Sequence, residues 1–530
     1  MSPAEDVFTG YRNPVLDADW PDPDAVRVGD DYYLVASSFN RAPGLPILHS
    51  RDLVNWEIVA RALPQLPPVE HYRIPRHGSG VWAPSIRHHG GLFHLTYPDP
   101  DHGIYVLTAS DPTGPWSEPR LLMAGTGLID PCPLWDDDGR AYLVFGWAHS
   151  RSGVTNRLSV VEVTEDLGEV VSTVRTVVDG DEIPGCRTLE GPKFYRRDGW
   201  YWIFAPAGGV STGWQSVFRS RDVYGPYEHR VVLAQGSTGV NGPHQGAWVD
   251  TPDGEHWFLH FQDRGVFGRV VHLQPMSWGE DGWPVIGTAG EPVRYYARPA
   301  LAAVPAEQRE PLRSDDFKST ELGLQWHWQA NPEPGWALVG DGTLRLRLIA
   351  DDLGDLRRIG HVLGQPLPGQ PSEWVTSVRL GPAPDGARAG FVVLGTTYAW
   401  IGLMRTPGGV HLLCRRSIDG PGEQTSAQAT LPKGDDEVEL RVRCDAQGLV
   451  TFAWRLPGGV EWQVVPSSFT AQPGRWIGAD AGLFAAAPLG TSGAVGARVG
   501  DDTAARAGVT GGYATFGAVG VSIGSGEGRA

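Results

Sequence analysis

The stretch "DPDAVRVGDDYYLVAS", residues 22–37, sets an acidic head before proline, then a short strand, a glycine turn and an aromatic strand. The same grammar returns four times. It reads "APSIRHHGGLFHLTY" at 83–97, "DPCPLWDDDGRAYLVFG" at 130–146, "EGPKFYRRDGWYWIFAPA" at 190–207 and "HQGAWVDTPDGEHWFLHF" at 244–261. Each copy carries a glycine (Gly29, Gly90, Gly139, Gly199, Gly254) where a tight hairpin needs a positive φ. Heads lie roughly 50 to 60 residues apart, somewhat longer than the ~40–50 residues of a typical propeller blade. One hairpin per repeat, with room for two further strands, predicts four-stranded blades arranged radially. Five repeats predict a five-bladed β-propeller.

In that geometry the first strand of every blade runs beside the central axis, so the five heads meet at one end of it. They are Asp22, Ala83, Asp130, Glu190 and His244. A lone Asp-Pro is most often a structural cap or an ion-pair member. Three acids at equivalent places in a ring are different, because neighbouring carboxylates resist joint ionisation and that serves acid/base work. The tetrapeptide PDPD occurs twice, at 21–24 and 98–101. Asp22 heads a repeat, whereas Asp99 and Asp101 follow an aromatic strand and read as a turn.

The bulk composition bounds the rest. At 530 residues the chain is expected to hold two or more domains. Its 70 Gly, 44 Pro and 21 Trp, with no long stretch of helical period, favour an all-β chain. A net charge of −17 argues against a nucleic-acid partner. Cys132, Cys186, Cys414 and Cys444 show no metal-binding spacing and read as free thiols. No apolar run reaches 18 residues and the first residues lack a signal-peptide pattern, so a cytoplasmic protein without a membrane partner is expected, or a secreted one whose signal has been removed. No GxGxxG or P-loop lies between strand and helix, so no organic cofactor is expected.

Residues 1–296 are expected to form the propeller, 297–314 a Pro/Ala-rich linker, and 315–530 a second domain. In the last, "TLRLRLI", "VTSVRL", "EVELRVRC" and "LVTFAWRL" alternate with period two between Gly/Pro turns, as in an antiparallel β-sandwich. The Gly/Ala-rich stretch 485–513 reads as a long surface loop.

At these residues the chain resembles glycoside hydrolase family 43, in particular its β-xylosidase and α-L-arabinofuranosidase members with a C-terminal, concanavalin-like jelly-roll sandwich. The resemblance runs through "NPVLDADWPDPDAVRVGDDYY", "SSFNRAPGLPILHSRDLVNWEI", "GVWAPSIR", "GLIDPCPLWDDDGRAYLV", "LEGPKFY", "GPHQGAWVDT" and "GRVVHLQP". It implies a five-bladed propeller, the same number as the repeats. It places a general base on Asp22, a general acid on Glu190, and on Asp130 the acid that orients Glu190 and raises its pKa. It implies inversion at the anomeric carbon, which sets base and acid ~6.5–9.5 Å apart.

By the same resemblance Phe39 and Trp82 wall the sugar pocket and Arg269 hydrogen-bonds the sugar, with Trp147 a further candidate. As blade aromatics, Phe39, Trp82 and Trp147 could equally fill cores, and Trp214 could line the rim or pack in its blade. In relatives His244 faces a calcium ion or a water, and both remain open here; one nitrogen ligand would make a weak calcium site. A loop of the sandwich closes the pocket in relatives, with no residue assigned in this chain.

The expected activity is exo-acting release of terminal xylose from β-xylo-oligosaccharides, with α-L-arabinofuranose as a second or even the main substrate. A carbohydrate-binding propeller lectin is the rival from another class. A lectin should repeat its binding residues in every blade, whereas these heads diverge as Asp, Ala, Asp, Glu and His.

Overall fold

The computed structural model describes residues 10–524, apart from 302–307, 310, 312–313, 352–353, 419, 421, 433 and 489–511. Five four-stranded antiparallel sheets follow one another in chain order, each with its strands in sequence order. Their inner strands are Asp24–Val28, Ser85–His89, Leu128–Trp135, Lys193–Arg197 and His244–Asp250. Each expected hairpin joins the first two strands of its blade, and the five turn glycines have φ of 64°, 59°, 83°, 72° and 86°.

Alternation along the strands explains the ring. Each blade buries both faces, so apolar side chains fill the space between neighbours. One cluster joins blade 1 to blade 2 (Val35, Ile47, Ile86, Phe93) and another joins blade 2 to blade 3 (Ile104, Val106, Leu143, Phe145). Others join blade 3 to blade 4 (Tyr142, Val160, Ile203, Phe218) and blade 4 to blade 5 (Trp202, Phe204, Phe258, Trp283). The ring closes where Ala25, Tyr32 and Leu34 of blade 1 pack on Val249, Trp257 and Leu259 of blade 5. A clasp secures that seam: Tyr11–Arg12 pairs with Tyr295–Tyr296, and Leu16 exchanges backbone hydrogen bonds with Val271.

The second unit is a sandwich of two eight-stranded sheets around one apolar core. The alternating segments behave as their pattern predicts. In Glu437–Cys444, Val438, Leu440, Val442 and Cys444 are buried while the residues between them are not. One expectation is corrected: residues 485–488 are not loop but the end of strand Asp480–Pro488, which lies between Val362–Pro366 and Arg388–Leu394. Ala485, Ala486 and Ala487 are fully buried there, small enough for a strand covered on both faces. Tyr513, the last residue of that expected loop, likewise opens strand Tyr513–Phe516, while 489–511 lie outside the described residues, as do 302–307, 310 and 312–313 of the expected linker. All four cysteines are free thiols.

The two units meet over buried charge. Arg41, on blade 1, donates to Asp19 (2.7 Å) and to Asp480 of the sandwich (2.8 Å), and all three are buried. Asp480 also accepts from Gln329 and lies 2.9 Å from His327 Nε2. Burial alone would raise the Asp480 carboxyl, but Arg41, His327 and Gln329 together hold it below the usual range.

Candidate active site

Asp22 precedes the inner strand of blade 1 and Asp130 interrupts that of blade 3, both in the left-handed region at φ 55° and 57°. Aspartate tolerates this conformation better than most residues, and such strain gathers at sites where a side chain must be aimed. Both carboxyls accept hydrogen bonds. Asp22 accepts 2.6 Å hydrogen bonds from the Arg269 guanidinium and from the Ser37 hydroxyl. Asp130 accepts from the backbone N–H of Gly191 at 2.7 Å.

Glu190, one residue before Gly191, is the most open of the three: its side chain is 27% exposed, against 7% for Asp22. No cation lies within ion-pair range of it among the described residues; its near neighbour is His244 Nε2, at 3.5 Å. Although Glu190 reaches the mouth, protein surrounds it on most sides. Desolvation, followed by the nearby Asp130 carboxyl, pushes its pKa up to about 8. Asp130 is itself pushed up to about 7, chiefly by burial and further by Asp22, against the Gly191 hydrogen bond that lowers it. The pair therefore holds a proton at neutral pH, and Glu190 is the last to lose it. A carboxylate acceptor and a carboxylic-acid donor thus share one axis.

His244 is buried, and burial, Arg269 and His260 lower its pKa to about 3, so the ring is neutral. Neither ring nitrogen has a hydrogen-bond partner among the described residues. Calcium takes six to eight oxygen ligands. Among the described residues no three His, Cys, Asp or Glu side chains converge to hold a metal. A calcium ion beside His244 would therefore draw most of its ligands from water.

The aromatic candidates divide. Phe39 is buried at φ 52°, with the Arg269 guanidinium 5.9 Å from its ring centre, and Trp82 lies 6.1 Å beyond it. Phe39 thus lies against the arginine that pairs with Asp22, and Trp82 packs beside Phe39. Trp147 faces the other way. Its neighbour Gly146 presents its open side to Asp130 and to the Glu190 backbone, so alternation turns Trp147 to the face of Phe145. There its indole N–H donates to Ser159, and the ring packs in the layer between blades 2 and 3. Trp214 likewise packs in the layer between blades 3 and 4.

Two residues were missed. Ser37 stands in the quoted "SSFN" but carries no signal beyond its neighbour Phe39. Trp476, from a Gly/Pro-rich loop of the sandwich, lies 6.4 Å from Trp82 and lines a cavity with Arg269, Gly268 and Asp263. The loop sits there because Ala479 and Val266 share a backbone hydrogen bond and Gly478 lies against Gly268. A tryptophan between two glycines, in "GRWIG", was its one sequence cue.

Comparison with known proteins agrees with this architecture. Residues 11–284 match the profile of glycosyl hydrolases family 43, and residues 314–498 match that of a β-xylosidase C-terminal concanavalin A-like domain. The chain belongs to glycosyl hydrolase family 43, and it is a glycoside hydrolase rather than a lectin. It is 36% identical to a putative β-xylosidase of Xylanibacter ruminicola over 89% of this chain and 86% of that one. It is 33% identical to a non-reducing end α-L-arabinofuranosidase of Bacteroides ovatus over 64% of this chain and 65% of that one. The crystal structure of a xylan β-1,4-xylosidase from Bacillus halodurans superposes with a TM-score of 0.83 at 26% identity, covering 96% of this chain and 99% of that one.

Proposed function

We propose that this enzyme removes terminal xylose from β-xylo-oligosaccharides with inversion of configuration, and that it also accepts terminal α-L-arabinofuranose. The carrying observation is the contrast between two carboxyls on one axis. Asp22 is ion-paired to Arg269 and can accept a proton from water. Glu190 stays protonated near the mouth and can donate one.

In the proposed reaction water attacks the anomeric carbon as Asp22 takes a water proton. The glycosidic C–O bond breaks as Glu190 protonates the departing oxygen. Asp130 holds Glu190 in its protonated state, and Arg269 orients Asp22 and the sugar. Asp22 and Glu190 come from blades 1 and 4, which are not neighbours in the ring, an arrangement that favours the ~6.5–9.5 Å separation needed for an intervening water. Trp476 of the sandwich stands beside Trp82 of the propeller, and aromatic walls from two domains suit a site that takes a chain end. The preference for xylose follows the names of similar proteins and of the sandwich family. The arabinofuranosidase of similar sequence supports the second substrate.

The test is hydrolysis of p-nitrophenyl β-D-xyloside and α-L-arabinofuranoside, with proton NMR of the first product. Faster release of α-xylose from the xyloside is expected. Initial β-xylose would overturn inversion, and a dominant arabinofuranoside rate would make arabinofuranose the main substrate.

A further inference from the structure

Blade 4 carries a buried cation that the proposed reaction does not use. Lys193 opens the inner strand of blade 4, three residues after Glu190, and is fully buried. Its ammonium donates to the Pro84 carbonyl and the Ser85 hydroxyl of blade 2, both at 2.8 Å. Both partners are neutral, and among the described residues Lys193 forms no ion pair. Burying an ammonium costs several kcal/mol unless negative charge stands near it. Lys193 follows by two residues the Gly191 whose N–H bonds Asp130, and its charge acts on that carboxyl.

The surrounding charges count out simply. From blades 1 and 5, Asp22 is paired with Arg269; from blades 1 and 2, Asp24 is paired with Arg87. From blade 5, His244 is neutral. Blade 4 also brings Tyr195, whose burial raises its pKa and keeps it neutral, and blade 3 brings the Cys132 thiol, which accepts from Arg87 and from Phe194 N–H. What remains is the charge of Lys193 against the Asp130–Glu190 pair. One cation balances one carboxylate, so the pair retains one proton. The Gly191 N–H, directed at Asp130, favours placing the negative charge there.

We propose that Lys193 is a positioning residue that sets the proton count of this pair, holding Asp130 ionised so that the shared proton resides on Glu190. Consistent with this, Lys193 lowers the pKa of Asp130, while the influences on Glu190 are burial, Asp130, Arg269 and Asp22. The inference rests on the acid/base reading above and adds to it the group that selects which carboxyl is the acid.

The experiment is the pH dependence of kcat/KM on xylobiose for wild type, Lys193→Met, Lys193→Arg and Ser85→Ala. Without the ammonium the coupled pair as a whole holds its last proton more tightly, so the alkaline limb in Lys193→Met should move up by about 1–2 pH units. Lys193→Arg should keep the wild-type limb, and Ser85→Ala should lower thermal stability without moving it. A limb unmoved in Lys193→Met, or moved equally in Lys193→Arg, overturns the inference and leaves Lys193 a packing residue. If Lys193→Met does not fold, infrared titration of the carboxylic-acid band in Lys193→Gln reads the same proton count, and an unchanged count overturns the inference. The two levels fail differently: a wild type that releases no sugar sinks the functional reading, whereas normal hydrolysis with an unmoved limb sinks only the role of Lys193.

Discussion

Of the first aspartates of the two PDPD copies, Asp22 sits on the axis and Asp99 sits in a hairpin. Asp99 accepts from the Tyr72 hydroxyl and from the Asp101 backbone N–H, and its neighbours turn directly into the next strand. Asp22→Asn should lose at least ~10²-fold in kcat on every substrate, because no other group is placed to deprotonate the water. Asp99→Asn should stay within a few-fold, and equal damage from both would refute the assignment by position in the repeat. Glu190 makes a sharper test. Xylobiose needs a proton on its departing alcohol, whereas a dinitrophenolate leaves almost unaided. Glu190→Gln should lose ~10²–10⁴-fold on xylobiose and far less on the dinitrophenyl xyloside. Wild-type activity on xylobiose should fall as pH rises through about 8, where Glu190 loses its proton, and that limb should flatten in the variant. A uniform loss across leaving groups with the limb intact would mean Glu190 is not the donor.

At the scale of elements, alternation decides which side chains can meet substrate. Gly146 and Trp147 are adjacent, yet only the glycine faces Asp130, because successive strand residues point to opposite faces. Resemblance picked out the indole; the register of the strand turned it away. The loop around Trp476 shows the opposite case. It has no periodicity to read, and its place follows from backbone bonds to the propeller turn at Val266 and the close contact of Gly478 with Gly268. If Trp476 forms one wall of the sugar site, Trp476→Ala should remove about 1–2 kcal/mol of apolar contact. The expected result is a KM raised by roughly 5–30-fold with kcat little changed. An unchanged KM, measured on xylobiose, would make Trp476 a packing residue between domains.

For the whole molecule, the junction between propeller and sandwich is held by Arg41 between Asp19 and Asp480. Asp19 also accepts from the backbone N–H of Arg269, so the junction is one hydrogen bond from the residue that pairs with Asp22. Asp480→Ala leaves a buried arginine without its second partner and should cost about 3–5 kcal/mol, lowering the thermal midpoint by several degrees. A midpoint within a degree of wild type would show that the domains dock by other contacts. The five blades, their hairpins and the axial heads Asp22, Asp130, Glu190 and His244 were legible in the sequence alone. Each is written locally, in a glycine turn and a period-two pattern repeated along the chain, and the repeat carries each head to the same place on the axis. The burial of Lys193 between blades 2 and 4, the loss of Trp147 to a blade core, the bond from Ser37 to Asp22 and the arrival of Trp476 were decided only by tertiary structure. Those depend on which distant surfaces pack together and at what register, and a local pattern carries no record of that distance.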